Sequence, residues 1–332
     1  MQRGFFQQQI TSGRFTLPLA LLCLIAGWIV SLYHPAMIST TAMSPFWTAI
    51  DPSIPKEPHL LLGINLVLYL LVGFLLIPFN KLIAVIRIRA SIQTALFFWW
   101  SALLPFLHPL QAGSLTVLLL LASLFCLVIS YQHPRPMARI YHAWLLLGFA
   151  SFLTPEVLGL IPVFLIGSYL FKSFSLKSFL AGILGLAFAY LIYSVGCWAS
   201  GREDLITQQF AYFSQIGINY VVPVHPNWMW ALIIFHGLLF IVAALFYWVK
   251  SVQTNIKTRD HINFLLTMEL ALQLIIYLKP DIICALLPLS LIILSLIEGH
   301  YFTTIQTKAT NGFFISIIIF SLLLNLLILW KI

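Results

Sequence analysis

Apolar runs approaching the roughly twenty residues that a membrane-crossing helix needs recur along this 332-residue chain, separated by turns that hold most of its charge. In lipid a spanning segment must satisfy its backbone hydrogen bonds internally, and continuous runs without strand-like alternation select helices over a barrel. Charged residues make up only 8% of the chain, against about 25% in a soluble domain. That excludes a cytosolic enzyme, a nucleic-acid binder and a disordered chain. The expected fold class is all-α: a polytopic transmembrane helical bundle, a single integral membrane domain over residues 1–332.

Eleven spans are expected, near 17–33, 59–79, 91–108, 114–131, 141–153, 157–171, 178–197, 227–249, 262–278, 281–298 and 312–330. Lys and Arg accumulate in cytoplasmic loops. With the N-terminus cytoplasmic, 13 basic residues fall on the inner side and only Lys56, Arg202, Lys279 and Lys331 on the outer, which selects this orientation. The net charge of +8 follows from those loops, since no basic block is present. Arg3 and Arg14 precede an apolar run as in a secretion signal, but no small-residue cleavage site follows, so 17–33 reads as a retained first span. Cys23, Cys126, Cys197 and Cys284 form no CxxC pair and read as small core residues.

The segments 141–153 and 157–171 are short and separated only by Thr154, Pro155 and Glu156. Proline removes a donor and disfavours helix before it, so a break is expected there, either between two spans or at the tip of a shallow hairpin. Two outer loops, 34–58 and 198–226, are long enough to carry chemistry. Within the second, Leu205 to Tyr220 has the pattern of an interfacial helix, with Leu205, Phe210, Phe213 and Ile216 apolar and Gln208, Gln209 and Gln215 polar.

Candidate chemical groups follow from depth and charge. Asp51 in the first outer loop suits a general base, with Glu57 or His59 as a second polar partner; the alternative is a solvated Pro-rich turn. Glu156 reads either as a functional carboxylate beside a cavity or as first-turn support for a helix capped by Thr154. Glu269 lies inside a span, where a charge costs roughly 2.5–3.5 kcal/mol, and forms a polar stripe with Gln273 and Tyr277. That stripe reads as interhelical hydrogen bonding or as a proton or substrate relay. Arg202, Glu203 and Asp204 suit a phosphate-bearing head group or a divalent ion, or form a solvated turn. His34, His59, His108 and His225 have no metal-ligand spacing, and Trp99, Trp100, Trp198, Trp228, Trp230 and Trp248 sit near span ends as an aromatic belt requires. The motifs GxxxxGK[ST], GxGxxG and GxSxG are absent, which leaves lipid-coupled chemistry, transport or assembly, with no cofactor assigned.

The stretch RPMARIYHAWLLLGFASFLTPEVLGLIPVFLIGSYLFKSFSLKSFLAGILGLAFAYLIY, residues 135–193, and KPDIICALLPLSLIILSLIEGHYF, residues 279–302, resemble an uncharacterised family of polytopic inner-membrane proteins of Bacteroidota. The resemblance implies a bacterial inner-membrane location and a role in the cell envelope. The pair LLLGFASFLTPEVLGLIPVFLIGSYL is also similar in style to GT-C glycosyltransferases, which use polyprenyl-phosphate-linked sugars. Those enzymes carry an essential acid in the first outer loop, and the match here is Asp51, with Glu57 in reserve, although this loop is short and lacks a paired acidic motif. That likeness implies catalysis by Asp51, with Glu57 in reserve; the candidate substrate contacts read from the residues themselves are Lys56, Glu156, Arg202, Glu203, Asp204 and Glu269, and the expected partners are membrane lipids, polyprenyl phosphate among them. The alternatives are a non-catalytic lipid-binding or assembly subunit, and a transporter whose polar path joins Glu269 to Glu156.

Overall fold

The computed structural model describes residues 6–33, 44–50, 53, 57–86, 91–215, 227–250 and 255–331. The described chain is helical, without strands. Its first half comprises α1 (Phe6–Thr11), α2 (Thr16–Tyr33), α3 (Pro45–Ile50), α4 (Pro58–Ile83), α5 (Ile92–Ala102), α6 (Ala112–Ile129) and α7 (Met137–Leu153). The second half comprises α8 (Ile161–Leu170), α9 (Leu176–Ala199), α10 (Asp204–Gln215), α11 (Asn227–Lys250), α12 (Ile256–Leu278), α13 (Ile283–Thr304) and α14 (Lys308–Lys331). Short 3-10 turns at Pro105–Leu107, Pro155–Leu160 and Pro280–Ile282 follow α5, α7 and α12.

Eight of the described helices are long and apolar enough to cross a membrane: α2, α4, α6, α9, α11, α12, α13 and α14. The protein is therefore a multi-pass membrane protein. The other three expected spans coincide with α5, α7 and α8, of 11, 17 and 10 residues; α5 and α8 are below the usual spanning length and α7 is at its lower limit.

α13 is the axis of the bundle, buried at every position from Ile283 to Gly299 except Ala285. It is walled by α5, α6, α11 and α12, so its apolar residues face protein on all sides. α2, α9 and α14 lie at the periphery, where Leu22, Leu184 and Leu326 are about 60% exposed, as a lipid-facing surface requires.

The expected span 91–108 stops short. α5 ends at Ala102, and the turn at Pro105 leaves carbonyls without intrahelical donors. Asn65 of α4 supplies one donor group to this break, its Nδ2 lying 2.8 Å from the carbonyls of both Leu107 and His108. His108 is fully buried, stacked on Trp28 at 3.7 Å. Its Nε2 faces the Ser101 carbonyl at 2.9 Å, and so donates, while Nδ1 accepts from the Ser31 hydroxyl at 2.5 Å. Irregular backbone inside the bundle is thus covered by protein, the condition under which membrane interiors tolerate it.

The break expected at Pro155 is present: α7 ends at Leu153 and a 3-10 turn begins at Pro155. α7 packs closely along α9 through small residues, which let helix backbones approach where no hydrophobic effect drives them together. At Gly185 a side chain would run into the backbone carbonyl of Tyr141, and at Gly148 a Cβ would come within 2.6 Å of that of Ala189.

Two ends of the bundle can be distinguished. At one, Thr258 reaches the carbonyl of Ala84, His300 that of Val85, and Tyr131 bonds Asp260, beside Lys257 and Arg259. The other end carries α3, α10, Glu156 and Lys279.

Candidate functional site

The site at the α10 end begins with the way α9 stops. Gly201 takes φ +67°, its N–H bonds the Trp198 carbonyl at 3.1 Å, and the Arg202 N–H bonds that of Cys197 at 2.9 Å. This paired arrangement is the glycine-dependent helix terminus that satisfies the last carbonyls and turns the chain sharply. Arg202 is thereby held at the rim of a groove, and α10 begins two residues later with Asp204 in its first turn, where an acid favours the helix dipole.

The groove, about 510 Å³, lies between α3, α7, α9 and the start of α10. Its wall is aromatic: Phe152 stacks on Tyr193 at 4.7 Å, and Phe46 meets Tyr193 edge-on at 5.6 Å. Tyr193 donates to the Leu205 carbonyl at 3.2 Å, tying α10 to this wall. Arg202 lines the same groove and its Nη1 donates to the Ala49 carbonyl at 3.4 Å. Ala49 and Ile50 are also lining residues, and Asp51 is the next residue in the sequence. Asp51 and Lys56 lie outside the described residues, as do His34 and His225; Glu57 and His59 are exposed at the start of α4.

Glu156 lies in the first turn of the 3-10 segment that follows Thr154, and it also holds a partner distant in sequence. It is buried, and Lys279 Nζ lies 2.5 Å from its Oε1. The Tyr212 hydroxyl donates to the same oxygen at 3.1 Å, and Lys279 lies 5.5 Å from the Tyr212 ring centre. Burial first, and the Glu156 carboxylate second, push the Tyr212 phenol above its ordinary range, so it remains a donor. The cluster joins α10 and α12 to the break after α7. Its cation is 123 residues away in sequence. The signal available in the sequence was a repeated local pattern, Thr154-Pro155-Glu156 and Lys279-Pro280-Asp281, two Pro-led turns at the same end.

α10 is present as an amphipathic helix, but its inward face is not the most apolar one. Gln209 is fully buried and Phe210 is 53% exposed. Leu205, Gln209 and Tyr212 share the inward stripe, and Gln209 Nε2 reaches the Ser151 carbonyl at 3.5 Å. The expected continuation from Ile216 to Tyr220 lies outside the described residues. Glu203 and Asp204 are exposed, and Asp204 accepts from Gln208 at 3.2 Å. Among the described residues no three His, Cys, Asp or Glu side chains converge as a metal site would need.

Glu269 sits in a second, separate cluster. It is fully buried, and its Oε1 accepts from Gln273 at 2.7 Å and from Ser290 at 2.6 Å, across the α12–α13 contact. Tyr277, the next member of the expected stripe, is 62% exposed beside Trp230, so the stripe turns outward before it reaches Glu156. Glu269→Gln keeps an acceptor and is expected to cost under about 1 kcal/mol, whereas Glu269→Leu strands two buried donors at about 1–3 kcal/mol each. Thermal unfolding in detergent distinguishes the two; equal loss would show that the carboxyl itself is required.

The aromatic belt is only partly realised. Trp198 and Trp248 are 69% and 78% exposed near span ends, but Trp100 and Trp228 are core residues. In comparisons with known proteins, no family model, curated protein or solved structure matches this chain.

Proposed function

We propose that the groove beside α10 holds the head and first apolar units of a phosphate-bearing amphiphile, and that the protein is a GT-C-like glycosyltransferase using a polyprenyl-phosphate-linked sugar. The observation that carries this reading is Arg202 at the rim of an aromatic groove, one wall of which ends at Ile50, the residue before Asp51 in sequence. A guanidinium presents several donors in a plane and pairs with phosphate oxygens, while Phe46, Phe152 and Tyr193 suit an unsaturated chain. Asp51 would then take the proton of the acceptor hydroxyl as its oxygen bonds the anomeric carbon and the bond from that carbon to the phosphate oxygen breaks, polyprenyl phosphate leaving as the anion. With most Lys and Arg assigned to the cytoplasmic side, the groove opens on the outer side of a bacterial inner membrane.

A non-catalytic lipid-binding or assembly subunit is the second reading. It is favoured by the groove's described lining, which contains Arg202 but no carboxylate. The transporter reading has less support, since Glu269 and Glu156 belong to separate clusters with different partners.

Native mass spectrometry of the gently purified protein separates these. The expected result is a retained polyprenyl phosphate or its sugar conjugate, reduced about tenfold or more by Arg202→Ala through loss of a charge-assisted contact. Asp51→Asn is expected to keep the lipid and abolish sugar release. Lipid retained with no effect of Asp51→Asn on function supports the assembly subunit, and bulk phospholipid alone overturns both readings.

A further inference from the structure

A second cavity lies at the opposite end of the bundle, and its chemistry differs. It has a volume of about 340 Å³, within the range of small-molecule pockets, and lies between α1, α2, α5, α13 and α14. Its walls are apolar, including Leu96, Trp99, Phe302 and Ile317. Leu19, which also lines it, is 60% exposed on the outer surface of α2, so the cavity borders the lipid.

One residue does not belong in such a lining. Glu298 is only 2% exposed, and it is a lining residue. Its Oε2 accepts from the Trp100 indole at 3.1 Å, while Oε1 has no partner among the described residues. Leaving a buried carboxyl oxygen unpaired is costly, and a bundle interior makes it more so. Glu269, in the adjacent cluster, is close enough to act electrostatically on Glu298, and its own Oε2 likewise has no partner among the described residues. No Lys or Arg is among the described residues that line the cavity. Glu298 and Glu269 each keep one carboxyl oxygen without a described partner and no cation is among the described lining residues, so a cationic donor suits the site and an anion is disfavoured.

We propose that this cavity is a binding site for a lipophilic amine, a single-chain ammonium amphiphile that enters from the membrane between α2 and α14, lays its chain along the apolar wall and pairs its head with Glu298. The site is independent of the groove beside α10, which carries the opposite charge.

The test uses the full-length protein in nanodiscs with four photoactivatable probes of equal chain length: a dodecyl amine, alcohol, carboxylic acid and alkane. Each probe carries its diazirine on the chain, and adducts are mapped by peptide sequencing. The expected result is saturable labelling by the amine of residues within 92–100 and 302–318, with the carboxylic acid and the alkane about tenfold weaker, the scale of one charge-assisted contact. Glu298→Gln should reduce amine labelling about tenfold and bring it level with the alcohol. Ala95→Leu, which keeps the carboxyl and narrows the cavity from a lining position, should reduce labelling by every probe. Equal labelling by all four probes, or amine labelling unchanged in Glu298→Gln, overturns the proposal. If the Gln variant fails to fold, a wild-type protein that does not prefer the amine over the acid overturns it equally.

Discussion

Replacing Lys279 with methionine should destabilise the folded protein by about 2–3 kcal/mol, at or below the bottom of the range of about 3–5 kcal/mol for breaking a fully buried pair, because the Lys279 side chain keeps 26% of its surface exposed. The cost lies mainly with the partner left behind. The Glu156 side chain is 4% exposed and would retain only the Tyr212 hydroxyl among its described contacts. The double variant Glu156→Gln, Lys279→Met removes both charges and should recover most of the loss, since a neutral side chain there can still accept from Tyr212. Thermal unfolding of wild type, both singles and the double gives the coupling energy directly. Additive single effects would show that the pair is a surface ion pair with no part in seating α10.

A second large effect is expected on the contact between α7 and α9. Gly185→Leu should cost about 3 kcal/mol, the upper end for overpacking, because the obstacle is the Tyr141 backbone carbonyl and not a side chain that can rotate away. Gly196, eleven residues further along α9, has nothing within 4 Å of an added Cβ, so Gly196→Leu should leave stability unchanged or improve it through helix propensity. Melting temperature and the monodispersity of the purified variants report the difference. If Gly185→Leu is as stable as wild type, the close packing that shapes the groove wall is not needed for folding.

These expectations show which parts of the molecule could be read along the chain. The break at Pro155 was legible because proline acts on its own backbone and on the residue before it, whatever surrounds them. Pro105 carries the same signal for the end of α5, passed over in the span 91–108, but the partner was not legible: Asn65, 42 residues before Leu107, donates to the carbonyls freed there. In the same way Glu156 could be placed at a turn, but its cation is 123 residues distant. Gln209 shows a further limit: amphipathic patterning assigns glutamine to the wet face, and here it is fully buried against the α7 end.

The candidate site divides along the same line. Arg202 was visible as one of four basic residues expected outside the membrane, and Gly201 beside it signals a helix terminus. The aromatic wall was not visible, because Phe46, Phe152 and Tyr193 belong to three helices. Glu298 was the largest omission. It sits in a nearly uninterrupted apolar run next to Gly299 and His300, near a span end where a charge is unremarkable, and only the packing of α5 against α13 buries it beside Trp100.

Composition and the length of apolar runs were sufficient to determine a helical membrane bundle, because crossing lipid constrains each segment separately through its own backbone hydrogen bonds. Which carboxylates are paired, which helices break and where cavities remain depend on side chains brought together from distant segments. Those energies are pairwise and short-ranged, so they do not exist until the helices have packed.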